Sequence, residues 1–425
     1  MSSDVADDPT TVGTPVVPAP HSPTINEALR DYVARIRGGE LGSLPATLGL
    51  IVLILVFSIA QPKDFATVGN FANLINQSAA IVVLAIGLVF VLLLGEIDLS
   101  AGYAAGTCGA ILAVQLTQKH HGAVVAIGSA LLAGALIGLL IGLLVARLGI
   151  PSFVVTLAFF LGLQGVQLHI IGQGGTIPIS NQAVLDIMNS NMSVVRGWEL
   201  FAIVVISYAA VTFLRIRRRA SAGLVSESIA VWGLKTGSLA IVLGIGTYLL
   251  NQERAVNPEL TSIKGVPYVV PVILVLLVVL TFVLQQTRFG RHIYAVGGNA
   301  EAARRAGISV KNLKTMCFVI CSTLAAFAGI LLVSRDNSVS PSTGGSVTLL
   351  YAVGAAVIGG VSLFGGRGRI KDAILGGLVL AVIANGLPLV TADAGIQYVV
   401  TGLVLLLAAS VDALSRKRSA TSGRA

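Results

Sequence analysis

Three short polar stretches hold the side chains of this chain best placed to do chemistry. LLLGEIDLSAG, Leu92–Gly102, sets the carboxylates Glu96 and Asp98 beside Gly95, Ser100 and Gly102. GRHIYAVGGNAEAARRAGISVKN, Gly290–Asn312, gathers Asn299, Glu301, Arg304, Arg305 and Gly307. VIGGVSLFGGRGRIKDAILGG, Val357–Gly377, brings Gly359, Gly360, Gly365 and Gly366 next to basic residues. A carboxylate pair is what a proton relay uses, but a relay needs ionisable groups at mid-membrane. Glu96 and Asp98 sit instead at a turn between two apolar segments, which argues against a proton-driven carrier; a sodium site built of carbonyls would leave no such mark. No Gly-x4-Gly-Lys-Ser/Thr loop is present to cradle ATP phosphates. His21, His120, His121, His169 and His292 are scattered, and no nucleophile–base set or metal-spaced cluster forms around them. Cys317 and Cys321 have helical ligand spacing but no histidine or carboxylate close by in sequence, so with Cys108 they read as apolar packing residues. The expectation is a chain with no catalytic residue, no metal and no cofactor of its own.

Each stretch has local logic. Asn299 is a suitable N-cap, and Glu301 falls in the first helical turn, where the helix dipole favours an anion. Arg305 follows Glu301 by four residues in the favourable orientation, and Gly307 can end the helix in a left-handed conformation. A two-turn helix, Ala300–Ala306, is therefore expected, presenting Ala302, Ala303, Arg304 and Arg305 as small side chains and charge on which another protein's groove could seat. In the Leu92–Gly102 stretch, Gly95 can end one helix, and Asp98 or Ser100 can cap the next. A tight turn alone does not say why two carboxylates sit so near the bilayer edge. Gly95–Leu99 is also echoed by Gly359–Leu363, each following a helix that runs in the same direction.

These stretches must be positioned by membrane helices. The chain has 425 residues, 55% of them hydrophobic and 11% charged, against about 25% charged in soluble domains. That leaves too few polar side chains to cover a water-facing surface. Twelve apolar segments begin near residue 45: about 45–61, 72–94, 99–117, 123–146, 152–171, 199–214, 229–250, 268–285, 313–334, 347–364, 373–391 and 397–413. Each is near the ~20 residues that cross the hydrocarbon as a helix. The seventh carries Lys235 near its start, which leaves open whether it spans fully. The runs do not alternate apolar and polar residues, which excludes a β-barrel. With the N-terminus inside, 22 of the 28 Lys and Arg fall on inner segments, as the positive-inside rule requires. An all-α polytopic membrane protein with about 12 transmembrane helices and both termini cytoplasmic is expected. The net charge of +9 then faces the inner surface of the membrane rather than nucleic acid.

Residues 1–24 hold three aspartates and five prolines and read as a disordered tail without signal-peptide character. Residues 25–40 read as an amphipathic helix on the membrane surface. The membrane-spanning body is expected over 45–413, with a cytoplasmic loop at 286–312 and a basic tail at 414–425. The longest outer loop, Gly172–Trp198, is either a docking surface or an ordinary connection. Asn76 and Gln77, Gln164 and Gln167, and Asn385 place amides inside the apolar segments. Amides, being donor and acceptor at once, suit the hydroxyls of a polar solute and equally serve as interhelical hydrogen bonds. Gly134, Gly138 and Gly142 form a GxxxG ridge that reads as close helix packing.

NAEAARRAGI resembles the cytoplasmic "EAA" loop of bacterial ABC-importer permeases, and GEIDLSAG resembles the signature of the ribose and xylose permease group, with its glutamate most like xylose-type members. The late glycine-rich turn is similar to that of the same group. The resemblance covers roughly residues 45–415; the acidic tail departs from it, and the 199–250 pair looks like the extra pair of xylose-type members. It implies a permease subunit in the bacterial plasma membrane, passing a monosaccharide, most simply a pentose such as xylose. It further implies a homodimer surrounded by lipid, a cytoplasmic ABC ATPase carrying ATP and Mg, and an extracytoplasmic sugar-binding protein. A branched-chain amino-acid permease, an ion-coupled secondary carrier and a membrane-embedded enzyme are the rival readings.

Overall fold

A computed structural model describes residues 26, 27, 30, 34, 43–172, 175–224, 226–255 and 257–421. The tail expected at 1–24 and most of the surface helix expected at 25–40 lie outside the described residues. From Leu44 the described chain is almost entirely helical. α1 spans Leu44–Ala60, α2 Val68–Leu92 and α3 Ala101–Ala113, which runs on into a π-helical turn at Val114–Gln118. α4 spans Ala123–Ala146 and α5 Ser152–Ile171. A loop with β1 (Ile177–Pro178) and α6 (Gln182–Asn189) follows, then α7 (Val194–Ser221), α8 (Ile229–Leu250) and α9 (Val269–Gln286). The polar α10 (Arg288–Gly298) and α11 (Ala300–Arg305) lead to α12 (Val310–Asp336), β2 (Ser338–Val339), α13 (Ser346–Gly359), α14 (Ile370–Val390) and α15 (Ala394–Thr421).

Each of the twelve expected apolar segments is thus a helix. Among the described residues, eight helices are long and apolar enough to cross a membrane; α1, α13 and Ala394–Leu407 of α15 are shorter apolar helices. α3 ends early because the chain shifts to π-helical bonding, and residues 99 and 100 belong to the turn before it. α13 ends at Gly359 because Gly360 turns left-handed, so residues 361–364 of the expected segment form a loop.

The chain divides into two compact units. In the larger, Arg35–Phe201 with Gly244–Ala425, the core is built on α2 and α12. Ala79–Leu93 is apolar all round and buried throughout, so α2 must be enclosed by other helices rather than face one side. α12 lies against α2, α3 and α4, while α14 packs on α2, α13 and α1. The glycine ridge of α4 lies on α12: a Cβ at Gly134 or Gly138 would stand 2.6 or 2.4 Å from the carbonyl oxygen of Ser322 or Phe318. Small residues at such a crossing let two backbones approach closely. β1 and β2 pair antiparallel, Ile177 against Val339, and α6 seats on α12 through Ser334 Oγ, which donates to the Val184 carbonyl at 2.6 Å.

The smaller unit contains Ala202–Leu243, the end of α7 and the beginning of α8. Trp232 Nε1 donates to Thr212 Oγ1 at 2.9 Å and its ring packs beside Phe213. Lys235, the charge in the seventh expected segment, pairs with Glu227 at 2.6 Å. Pairing and half-exposure explain how an apolar helix tolerates it.

Candidate functional site

The polar island folds as two helices in series. Thr287 caps α10 by accepting from Gly290 N at 3.2 Å. Asn299 caps α11, its Oδ1 accepting from Ala302 N at 2.9 Å, a bond typically worth about 0.5–2 kcal/mol. Glu301 receives Arg304 Nη2 at 2.8 Å and Arg305 Nε at 3.2 Å. The Arg304 hydrogen bond holds the Glu301 carboxyl below its ordinary range. α11 closes one residue sooner than the expected Ala306. Gly307 takes φ +85°, its N–H bonds the Arg304 carbonyl, and Ile308 N–H bonds the Ala303 carbonyl, each at 3.0 Å. This is a Schellman closure, and Ala306 is its C-cap. Ala303 turns inward and is buried, leaving Glu301, Ala302, Arg304 and Arg305 exposed on one short face.

Around the end of α10 the three polar stretches meet. A Cβ on Gly297 would stand 1.9 Å from the Leu93 carbonyl oxygen and 2.6 Å from Gly366 N. Gly366 N donates to that same Leu93 oxygen at 2.9 Å, and Tyr294 Oη donates to the Gly368 carbonyl at 2.7 Å. The turn after α2, the end of α10 and the turn after α13 therefore touch backbone to backbone. Gly95, Gly360, Gly365 and Gly366 all take positive φ there. Gly102 lies elsewhere, at the start of α3, where it meets the Gly345 carbonyl.

The turn between α2 and α3 is held from several sides. Ser152 Oγ of α5 accepts from Ile97 N at 3.3 Å, and Thr156 Oγ1 donates to the Ile97 carbonyl at 3.2 Å. Glu96 forms an ion pair with Lys314 of α12. The expected simple cap on α3 needs correction. Ser100 occupies the N-cap position, but its side chain makes no capping bond to the helix. Its Oγ donates to Asp98 Oδ1 at 2.5 Å, and its N–H donates to the same oxygen at 2.9 Å. Asp98 is two residues too early to be the cap and fixes the turn instead; it is fully buried, beside Cys321. The echo between the two turns extends to this detail: Ser362 Oγ accepts from Phe364 N, again two residues on, at 3.1 Å.

The amides lie toward the other end of the helices. Asn385 and Asn70 exchange two hydrogen bonds of 2.9 Å, and Gln77 Oε1 accepts from Asn385 Nδ2 at 3.3 Å. Gln167 donates to the Ser340 and Thr343 carbonyls at 3.0 and 2.9 Å. Asn385 and Gln77 thus come together, while Gln167 stands on α5 with Gln164 half-buried one turn earlier. Asn76 Oδ1 and Gln167 Oε1 are buried acceptors with no partner among the described residues.

Sequence reasoning passed over Tyr294, Gly297, Lys314 and Asn70. Gly297 and Gly298 look alike in sequence, yet only Gly297 is pressed against another backbone. Contacts between residues some 200 positions apart leave no local spacing to read. The Tyr294 aromatic in an otherwise polar island was the one available signal.

Residues 70–409 match the family model described as branched-chain amino acid transport system / permease component. The chain is 35% identical over 373 residues to the xylose transport system permease protein of Escherichia coli (strain K12), covering 87% of this chain and 91% of that protein. The Haemophilus influenzae xylose transport system permease protein is 33% identical, with 87% and 96% covered. The ribose import permease protein of Bacillus subtilis (strain 168) is 30% identical, with 90% and 95% covered. No solved structure matches this chain. With the helical architecture, the polar junction and these matches spanning most of its length, the chain belongs to the branched-chain amino acid transport system / permease component family, alongside its xylose- and ribose-type ABC permeases.

Proposed function

We propose that this multi-pass protein of the bacterial inner membrane is the permease subunit of an ATP-driven importer for a monosaccharide, a pentose such as xylose in the first instance. The observation that carries the reading is the doubly capped α11, which presents an exposed face and follows directly on the end of α10 that meets the two signature turns. It is a rigid, small-residue surface suited to a partner's groove, and it sits where a push reaches α2, α13 and α12 at once. ATP and Mg belong on a cytoplasmic ATPase that grips this face, and an extracytoplasmic binding protein delivers the sugar. The permease works as a homodimer with twelve crossings per copy, both termini in the cytoplasm and lipid around it. Asn76 Oδ1 and Gln167 Oε1, buried without partners, are the acceptors open to sugar hydroxyls, since an unmatched buried polar atom is costly unless something meets it. Gln164 lies beside Gln167 on that path, while Gln77 and Asn385 are engaged in holding α2 to α14.

The family description favours a second reading, transport of a branched-chain amino acid. Competition settles the substrate: cells expressing the chain with its neighbouring ATPase and binding protein should take up labelled xylose, with unlabelled xylose or ribose competing and leucine not. Uptake competed by leucine alone would transfer the assignment to amino acids.

A further inference from the structure

Glu96 and Lys314 stand 218 positions apart in sequence, yet they form an ion pair in which only 14% and 25% of their side chains are exposed. Glu96 lies in the turn after α2; Lys314 lies in the second turn of α12, six residues beyond the Schellman closure that ends α11. Arg147, at the end of α4, donates to Asn312 Oδ1 at 2.8 Å in the first turn of α12. Nothing in the local geometry of a tight turn requires a carboxylate at 96. Gly95 reverses the chain, and Asp98 Oδ1 takes up the Ser100 N–H and hydroxyl.

The contact between Gly297 and Leu93 and the ion pair differ in kind. Two backbones in van der Waals contact resist being pushed together but offer little resistance to being drawn apart. A largely buried ion pair resists separation, because each charge would be left uncompensated away from water. The end of α10 can therefore press on the turn after α2, whereas the start of α12 can also pull on it. Lysine suits this use, since its flexible stem keeps the charge engaged through a small displacement.

We infer that Glu96 and Lys314 form a tension-bearing latch that carries displacement of α11 sideways, through the start of α12, into the turn between α2 and α3. Both are positioning residues, and the charge rather than the shape of each does the work. The coupling role rests on the reading of α11 as the ATPase-docking helix; the latch itself does not.

Two measurements separate these claims. In purified permease in nanodiscs, the maleimide labelling rate of Leu94→Cys reports opening of the turn, because Leu94 is buried there and Cys108, Cys317 and Cys321 are buried as well. Glu96→Gln or Lys314→Gln, which keep size and remove charge, should raise that rate about tenfold or more. Lys314→Arg should leave it near the parent rate, and the exchange Glu96→Lys with Lys314→Glu should return it to within about threefold. A parent rate in both glutamine variants, or no recovery in the exchange, overturns the latch. The second measurement is sugar-stimulated ATP hydrolysis by the assembled transporter, expected to fall in the glutamine variants and recover in the exchange. If labelling responds as described but the glutamine variants still couple at the parent level, the coupling role is overturned. If the parent itself shows no sugar-stimulated hydrolysis while labelling responds, the latch stands and the transport reading fails.

Discussion

At the scale of single residues, Asp98 and Gly297 give the sharpest tests. Asp98 Oδ1 accepts twice from Ser100 in a fully buried turn. Asp98→Asn keeps that acceptor and should be mild. Asp98→Ala leaves a buried N–H and hydroxyl unpaired, at a cost of about 1–3 kcal/mol, visible as a lower Tm in detergent. An asparagine variant as inactive in transport as the alanine variant would show that the carboxylate's charge has a further role. Gly297→Ala would force a methyl to within 1.9 Å of the Leu93 carbonyl oxygen, whereas the neighbouring Gly298→Ala meets no atom within 4 Å. The first should destabilise the junction and depress transport, and the second should do neither; equal behaviour of the two would contradict the backbone contact. The Glu301 carboxyl, lowered by its bond to Arg304, stays ionised from the ordinary carboxylate range upward. Its pairing is lost only as pH falls through that lowered value. Retention of the ATPase subunit should therefore not vary through Glu301 titration between pH 6 and about 8.

At the scale of elements, α11 is expected to act through its surface and not through fold stability. Glu301→Lys removes two exposed ion pairs, which contribute little to stability, and places a cation at the positive end of a helix. Gly307→Val puts a β-branched residue at φ +85°, where it is strongly disfavoured. Both variants should run as the parent oligomer in detergent while retaining less ATPase subunit; full retention in both would reduce α11 to a connector. Much of this element was legible in sequence, because caps and end-stops are local: Asn299, Glu301 and Gly307 stand where their chemistry places them. The apolar segments were legible for the same reason, as runs of sufficient length. The ends of α3 and α13 were not, since a π turn and a left-handed Gly360 end helices inside continuous apolar sequence. Nor was the meeting of Leu93, Gly297 and Gly366, or of Glu96 and Lys314, which depends on how α2, α10, α12 and α13 pack.

At the scale of the whole molecule, the distribution of basic residues is the ground for the proposed orientation. A cysteine at Ala183, in α6, should react with an impermeant reagent added outside, and one at Ser221, at the end of α7, should not. The reverse pattern would invert the bundle and put α11 on the wrong side for any cytoplasmic ATPase. The central claim is that this chain supplies a path and a docking helix while a partner supplies the energy. It is tested most directly in proteoliposomes holding the permease with its ATPase and binding protein, loaded with labelled xylose on the binding-protein side. Transport should require ATP and Mg on the side that α11 faces, stop with ADP, and persist when proton and sodium gradients are collapsed. Xylose movement by the permease alone, driven by an ion gradient and indifferent to ATP, would contradict the account.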